Sequence, residues 1–178
     1  MEDRSEHESF EELALPLLDA LYRYARWLTR NPTEAEDLVQ EAYLKGLRGF
    51  HAFRSGSNIR AWMFRILHNT FLTSRSGLGA VPPLSIDEQP ELLDQMIDCA
   101  TPESRLLQRA NSETLRQAIE QLPVEFREVL LLSDVEEMSY KEIAETLSIP
   151  IGTVTSRLMR ARRKVRNALT SEGSWINI

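Results

Sequence analysis

The sequence predicts an all-α protein made of two small helical domains joined by a flexible linker, and three observations carry that expectation. Apolar residues recur at three- and four-residue steps through most of the chain, the spacing of helix faces and not of strands. Residues 77–104 hold four prolines, two glycines, six acids and no lysine or arginine, so they have little apolar surface to bury and read as a tether. The 178 residues suffice for one medium domain or two small ones, and a balance of 42% hydrophobic to 27% charged argues against wholesale disorder. The boundaries that follow are a first domain over 8–76, an acidic, Pro-rich linker over 77–104, and a second domain over 105–170.

Each element has its own signal. Phe10, Leu13, Leu17, Leu21, Tyr24 and Leu28 mark a helix of about 20 residues, with Pro16 near its first turns as a place where regular helix can begin. Asn31-Pro32 ends it, and Thr33-Glu34-Ala35-Glu36 then has the capping-box pattern, hydroxyl and carboxylate each satisfying a backbone amide. The next helix carries Leu38, Ala42 and Leu47 and stops near Gly49. The loop 51–58 leads, with Ser57 or Asn58 as cap, into a helix running to about Arg75. Within the linker, Leu92, Leu93, Met96 and Ile97 share one side of a possible short helix. Thr101-Pro102 restarts helix, Thr as cap and Pro at the first position, with Leu106, Leu115, Ala118, Ile119 and Leu122 as its apolar face. Pro123 opens a helix through Leu132. Ser139-Tyr140-Lys141-Glu142 is a second capping box, for a helix ending near Leu147. Ser148-Ile149-Pro150 turns the chain into a last helix from about Ile151 to Leu169.

Several function classes drop out. The longest aliphatic run, Val129-Leu130-Leu131-Leu132, is far short of the roughly 20 apolar residues a membrane span needs, and the acidic N-terminus is unlike a secretory signal. No stable membrane insertion and a cytoplasmic address are therefore expected. The single cysteine, Cys99, excludes an internal disulfide framework, and His7, His51 and His68 lack metal-ligand spacing. The Gly77-Leu78-Gly79 stretch has no following Lys-Ser/Thr to make a phosphate cradle, and the carboxylates fall on amphipathic helices. Neither an enzyme nor a cofactor is expected.

Charge is more informative by segment than in total. The whole chain is −6, yet residues 23–80 are +5 and residues 157–178 are +5, separated by acidic stretches. Two separate basic blocks suit a polyanion touched at two places, although solvated helix faces would show the same pattern.

The tightest constellation lies at 139–166. Two helices joined by a three- or four-residue turn cross steeply and need a small residue at the approach, which Ala144 supplies. Ile143, Leu147 and Ile149 make the hinge core, and Val154 and Leu158 seat the second helix. Its opposite face offers Thr155, Ser156, Met159, Arg160 and Arg163, and six of the ten residues from Arg157 to Arg166 are basic. That is the make-up of a helix whose start enters the major groove while the rest follows phosphates. Arg160 suits a bidentate contact to guanine, Thr155 or Ser156 a hydroxyl to base or phosphate, and Met159 a thymine methyl. Arg162, Arg163, Lys164 and Arg166 suit phosphate neutralisation.

The helix from Ile59 onward, with the residues before it, interleaves Phe53, Trp62, Phe64 and Phe71 with Arg54, Arg60, Arg65 and Arg75. Aromatic faces stack on unpaired bases while guanidinium groups hold the backbone, and Asn69 adds an amide able to read a base edge. Trp62, Ile66 and Asn69 share a stripe with Ile59, so part of this set is core. One domain suited to open strands and another suited to duplex fit a protein that acts where DNA is melted.

With these residues in view, AEDLVQEAYLKGLRGFHAFRSGSNIRAWMFRILHN (35–69) resembles region two of bacterial extracytoplasmic-function (ECF) sigma factors of the sigma-70 family. IEQLPVEFREVLLLSDVEEMSYKEIAETLSIPIGTVTSRLMRARRKVR (119–166) resembles their region four. The likeness covers residues 10–75 and 105–169, and it implies a dissociable, stress-responsive promoter-specificity subunit that acts on core RNA polymerase and promoter DNA. It implies polymerase docking by Asp37, Leu38, Val39, Gln40 and Glu41. It implies −10 recognition by Phe53, Arg54, Ser55, Asn58, Arg60, Trp62, Arg65, Asn69 and Arg75, with a flipped base captured by the loop at 53–56 and the helix bearing Asn69. It implies −35 recognition by Thr153, Thr155, Ser156, Arg157, Met159, Arg160, Arg163 and Lys164. The opening 10–45 is similar to the branch controlled by zinc-binding anti-sigma factors, which implies such a partner. The alternative is a stand-alone helix-turn-helix regulator that binds duplex operator DNA without polymerase.

Overall fold

The computed structural model describes residues 9–54, 56–76 and 112–172, and all regular structure among them is helical. The chain divides into two compact units: the first takes the helices before residue 77 together with Glu145–Ser148, and the second the other helical residues after 111. The predicted linker, the short helix at 90–100 and the Thr101-Pro102 cap lie outside the described residues. No helix among the described residues is long and apolar enough to cross a membrane.

The first unit opens with α1 (Phe10–Ala14), where Ser9 and Glu12 form a reciprocal box: the Glu12 amide donates to the Ser9 hydroxyl at 3.2 Å and the Ser9 amide to the Glu12 carboxylate at 3.0 Å. Pro16 has no N–H to continue the α-helical ladder, and Leu15–Leu17 tighten into a single 3-10 turn. The predicted helix of about 20 residues is thus two pieces, α1 and α2 (Leu18–Thr29). Arg30 closes α2 in the left-handed conformation, φ 59°.

α3 (Pro32–Gly49) starts two residues earlier than the capping box at Thr33 predicts. Asn31 is the cap, its side-chain oxygen accepting from the amides of Thr33 (2.9 Å) and Glu34 (3.4 Å). Pro32 fills the first helical position, where no N–H is required, and this Asn-Pro pair outcompetes the threonine, which lies inside the first turn. A 3-10 turn at Phe50–Ala52 and a loop with Gly56 at φ 81° lead to α4 (Ile59–Ser76). Of the two candidate caps, Asn58 serves, accepting from the Ala61 amide at 3.1 Å.

α2 and α4 both pack against α3. Leu21, Tyr24 and Leu28 meet Ala35, Leu38, Val39 and Ala42, with Met63, Phe64, Leu67 and Phe71 from α4 completing the core. Each such large side chain taken from water favours folding by about 1.5–3 kcal/mol before the entropy of ordering is counted. Leu47, predicted on the apolar face of α3, is 54% exposed. Gly46 is buried, and a Cβ there would lie 3.0 Å from the Met63 sulfur and 3.1 Å from the Phe10 ring, so the missing side chain is the notch that seats Phe10. Tyr43 ties α3 to the end of α1: its hydroxyl donates to the Ala14 carbonyl at 2.6 Å.

In the second unit, α5 (Ser112–Glu120) and α6 (Val124–Leu130) pack on the long last helix, α8 (Ile151–Glu172). The helix predicted to run from Pro123 through Leu132 is regular only to Leu130. Leu131–Val135 then form a π-helical turn, in which the Glu136 amide donates five residues back to Leu131 at 2.9 Å and the Met138 amide reaches back to Leu132 at 2.9 Å. The extra residue keeps Leu131 and Leu132 buried while turning Asp134 toward α8. The second capping box stands as expected. The Ser139 amide donates to Glu142 at 2.8 Å and the Glu142 amide to the Ser139 hydroxyl at 3.3 Å, opening α7 (Tyr140–Leu147).

Candidate nucleic-acid interface

α7, the turn Ser148-Ile149-Pro150 and α8 form the helix-turn-helix. Ser148 adopts φ 54°, a left-handed conformation that costs a non-glycine residue roughly 1 kcal/mol and turns the backbone sharply. The Ile149 amide donates to the Ala144 carbonyl at 3.1 Å, and the Pro150 carbonyl accepts from Thr153 (2.9 Å) and Val154 (3.1 Å), so α8 begins at once. Ile143 is buried as expected, while Ile149 and Ala144 are half-buried.

α8 buries Val154, Leu158, Ala161 and Val165, spaced as one helical stripe, against the unit's core. At 100° per residue this stripe puts Ser156, Met159, Arg160 and Arg163 on the opposite, outward side. Thr155 lies on one flank of that side, and Thr153, Arg157 and Lys164 on the other. Met159 is 41% exposed, an apolar side chain held in solvent by a helix with a complete core face. The two hydroxyls expected to meet DNA bond their own helix, Thr155 to the Ile151 carbonyl and Ser156 to the Thr153 carbonyl, both at 3.1 Å. Their oxygens remain able to accept from outside. The Lys164 ammonium lies 6.0 Å from the Phe126 ring centroid, a cation–π contact that steadies its stem.

Arg162 departs from its expected role. Its guanidinium grips the Asp134 carboxylate with two hydrogen bonds, 2.6 and 3.2 Å, and its ionised form is further favoured by that bond and by Tyr140. A residue expected to neutralise phosphate is committed within the unit, and no local sequence pattern marks it.

The basic, aromatic α4 is divided by its own helical geometry. Phe64 and Phe71 are core, Phe64 packing on Tyr24 with centroids 5.4 Å apart. Arg60 and Arg75 lie over those two rings, 5.7 and 5.1 Å from their centroids, on the flank away from the outward stripe. That stripe is Trp62, Arg65 and Asn69, continuing the line of the capping residue Asn58, with Arg65 and Asn69 exposed. Trp62 is half-buried, and Phe53 packs on it at 5.2 Å and stacks on Phe50 at 5.6 Å with an interplanar angle of 11°. The structure therefore brings Phe53, Arg54, Asn58, Trp62, Arg65 and Asn69 toward one side and leaves Arg60 and Arg75 on another. Ser55 lies outside the described residues.

The segment expected to dock on polymerase is likewise split. Leu38 and Val39 are 6% and 5% exposed, so most of each side chain belongs to the core. Asp37, Gln40 and Glu41 are exposed, with Leu44, 53% exposed, on the same face. Glu41 pairs with Lys45 at 3.0 Å. Nothing in the spacing along α3 separates the exposed Leu44 from the buried Leu38.

Comparison with known proteins matches both units. A family model described as Sigma-70 region 2 matches residues 13–78, and one described as Sigma-70, region 4 matches residues 112–165. The RNA polymerase sigma-H factor of Pseudomonas aeruginosa is 32% identical over 171 residues, 93% of this chain and 89% of that protein. The ECF RNA polymerase sigma factor SigE of Mycolicibacterium smegmatis is 32% identical over 173 residues, 97% of this chain and 66% of that longer protein. Among solved structures, the sigma factor RpoE of Bartonella quintana, in complex with the anti-sigma factor NepR, superposes with a TM-score of 0.69 at 27% identity, covering 90% of this chain and 96% of that one.

Proposed function

The chain belongs to the ECF sigma factors of the sigma-70 family, and from that premise we propose how its residues divide the work of starting transcription. It directs core RNA polymerase to a set of promoters and is a transcription initiation factor, not an enzyme. The observation that carries this is the pairing of two matched regions, in order, each on its own helical unit, the second ending in a basic reading helix.

In this reading Ser156, Met159 and Arg160 face bases of the −35 element, and Thr153, Thr155, Arg157, Arg163 and Lys164 flank them toward phosphates. Trp62, Arg65, Asn69, Phe53, Arg54 and Asn58 meet the opened −10 strand, supported by their common side of α4 and the half-open ring pair. Extruding a base there costs a few kcal/mol of stacking that these contacts must offset. Asp37, Gln40 and Glu41 form the polymerase-docking face, with Leu38 and Val39 holding the helix from beneath. An anti-sigma partner is part of the reading, since RpoE of Bartonella quintana was solved bound to one. The chain works where polymerase works, in the cytoplasm.

The test is run-off transcription from genomic fragments with core polymerase, with and without the chain. Specific transcripts that depend on the chain are expected. Tight binding of the free chain to operator duplex, with no effect on polymerase, would favour the stand-alone regulator and sink this reading. Arg160→Ala should then cost about 1–3 kcal/mol on the preferred −35 sequence and little on scrambled ones.

A further inference from the structure

The π-helical turn at Leu131–Val135 and the grip of Arg162 on Asp134 call for one explanation. An exposed ion pair contributes little to stability, because solvent screens it and two long side chains lose freedom to make it. This pair also lies at the surface, with Asp134 an exposed residue, but it is held more firmly than most. It joins residues 28 apart in sequence, its side chains are only 27% and 24% exposed, and the planar guanidinium meets the carboxylate through two nitrogens. A two-pronged contact between planar groups fixes orientation as well as distance. Tyr140, the first residue of α7, lies near enough to favour the ionised guanidinium. One side chain of the reading helix is therefore fastened to the π-turn that precedes it.

Placement makes the choice of residue intelligible. Arg162 lies on a flank of α8, between the buried stripe and the outward side that bears Ser156, Met159 and Arg160. Rotation of α8 about its own axis would swing those three sideways across the groove, and a contact on the flank resists rotation better than one on the buried stripe. Asp134 comes within reach because the π-turn inserts a residue into the α6 continuation. The turn and the pair are parts of one device.

We propose that Asp134 and Arg162 are positioning residues for −35 reading: the pair, aimed by the π-turn, sets the rotation of α8, and Arg162 does not serve as a phosphate contact. This rests on the sigma-factor reading above.

The test uses holoenzyme made from core polymerase and the full chain, with a pool of promoter-length duplexes randomised over the upstream element. Retained duplexes are sequenced and total retention is followed against salt. Asp134→Ala and Arg162→Ala should each lower enrichment of the preferred element by about fivefold or more, the scale of a single base contact misplaced, while retention of unselected duplex and its salt slope stay unchanged. The exchange Asp134→Arg with Arg162→Asp should recover part of the enrichment. Asp134→Asn keeps the volume and one acceptor, so it supplies the readout if the alanine variant unfolds; circular dichroism verifies that each chain compared is folded. Three outcomes overturn the proposal: unaltered enrichment in folded Asp134→Asn and Asp134→Ala, a uniform loss on all duplexes for Arg162→Ala, or a salt slope lowered by about one, which marks a lost phosphate contact. A wild-type chain that enriches no element with core polymerase would instead overturn the sigma-factor reading, and this proposal with it.

Discussion

Two glycines three residues apart on α3 offer a controlled test of the packing in the first unit. Replacing either by alanine removes the flexibility that glycine gives the unfolded chain, worth about 0.4–1 kcal/mol in favour of the fold where the backbone is compatible. Gly49 ends α3 at φ −90°, and a Cβ there meets only the Trp62 ring at 3.7 Å, an ordinary contact. Gly49→Ala should therefore stabilise the unit by about 0.5 kcal/mol. Gly46→Ala collects a similar gain but drives its methyl to 3.0 Å from the Met63 sulfur and 3.1 Å from the Phe10 ring. Met63 is fully buried, and Phe10 is pinned edge-on by Tyr43 and Phe50, with centroids 6.1 and 5.5 Å away, so neither yields freely. Overpacking of this kind costs about 1–3 kcal/mol, which leaves Gly46→Ala destabilising by roughly 0.5–2.5 kcal/mol. Urea unfolding followed by tryptophan fluorescence reads the difference, since two of the three tryptophans, Trp27 and Trp62, belong to this unit. Equal and same-signed shifts for the two variants would refute the notch.

Two more tests address other features. Asp37→Arg, on the exposed face of α3, should weaken binding to core polymerase at least tenfold without altering the circular dichroism of the free chain; Leu38→Ala should instead destabilise by about 2–5 kcal/mol, as core truncations do. Burial pushes the Tyr43 hydroxyl up to about 12. The folded chain holds that proton more tightly than the unfolded one, whose phenol titrates near 10. Its stabilisation is full below about pH 10 and is lost as pH rises toward 12. Comparing urea midpoints at about pH 9 and pH 11, Tyr43→Phe should show a smaller decline than wild type, and parallel declines would contradict the assignment.

The parts legible in the sequence were those written in local patterns. The Ser139–Glu142 box and the stripe Val154–Leu158 stood where spacing and residue type put them, and the cap expected at Ser57 or Asn58 is Asn58, because each involves groups within a few residues of one another. Where two local signals competed, the reading failed: Asn31-Pro32 and Thr33 both fit a helix start, and only the fit of proline at the first position decides between them. The π-turn could not be foreseen, since Leu130-Leu131-Leu132 reads as continuing helix and the extra residue answers to packing against α8. Leu38 and Leu44 show the same limit for the proposed docking face: both are leucines on one helix, and only the third dimension says which is inside. Arg162 and Asp134, 28 residues apart, had no signal at all.

The burial of Phe64 and Phe71 has a consequence for how tightly an unwound strand is held. On the proposed −10 reading it leaves Phe53 and Trp62, two neighbouring rings, as the stacking platform of the first unit. At about 1–3 kcal/mol per base, two rings supply roughly 2–6 kcal/mol of stacking, which by itself corresponds to a grip no tighter than tens of micromolar. Stacking is therefore only part of the hold, and the Arg54 and Arg65 guanidinium groups must supply a salt-sensitive remainder.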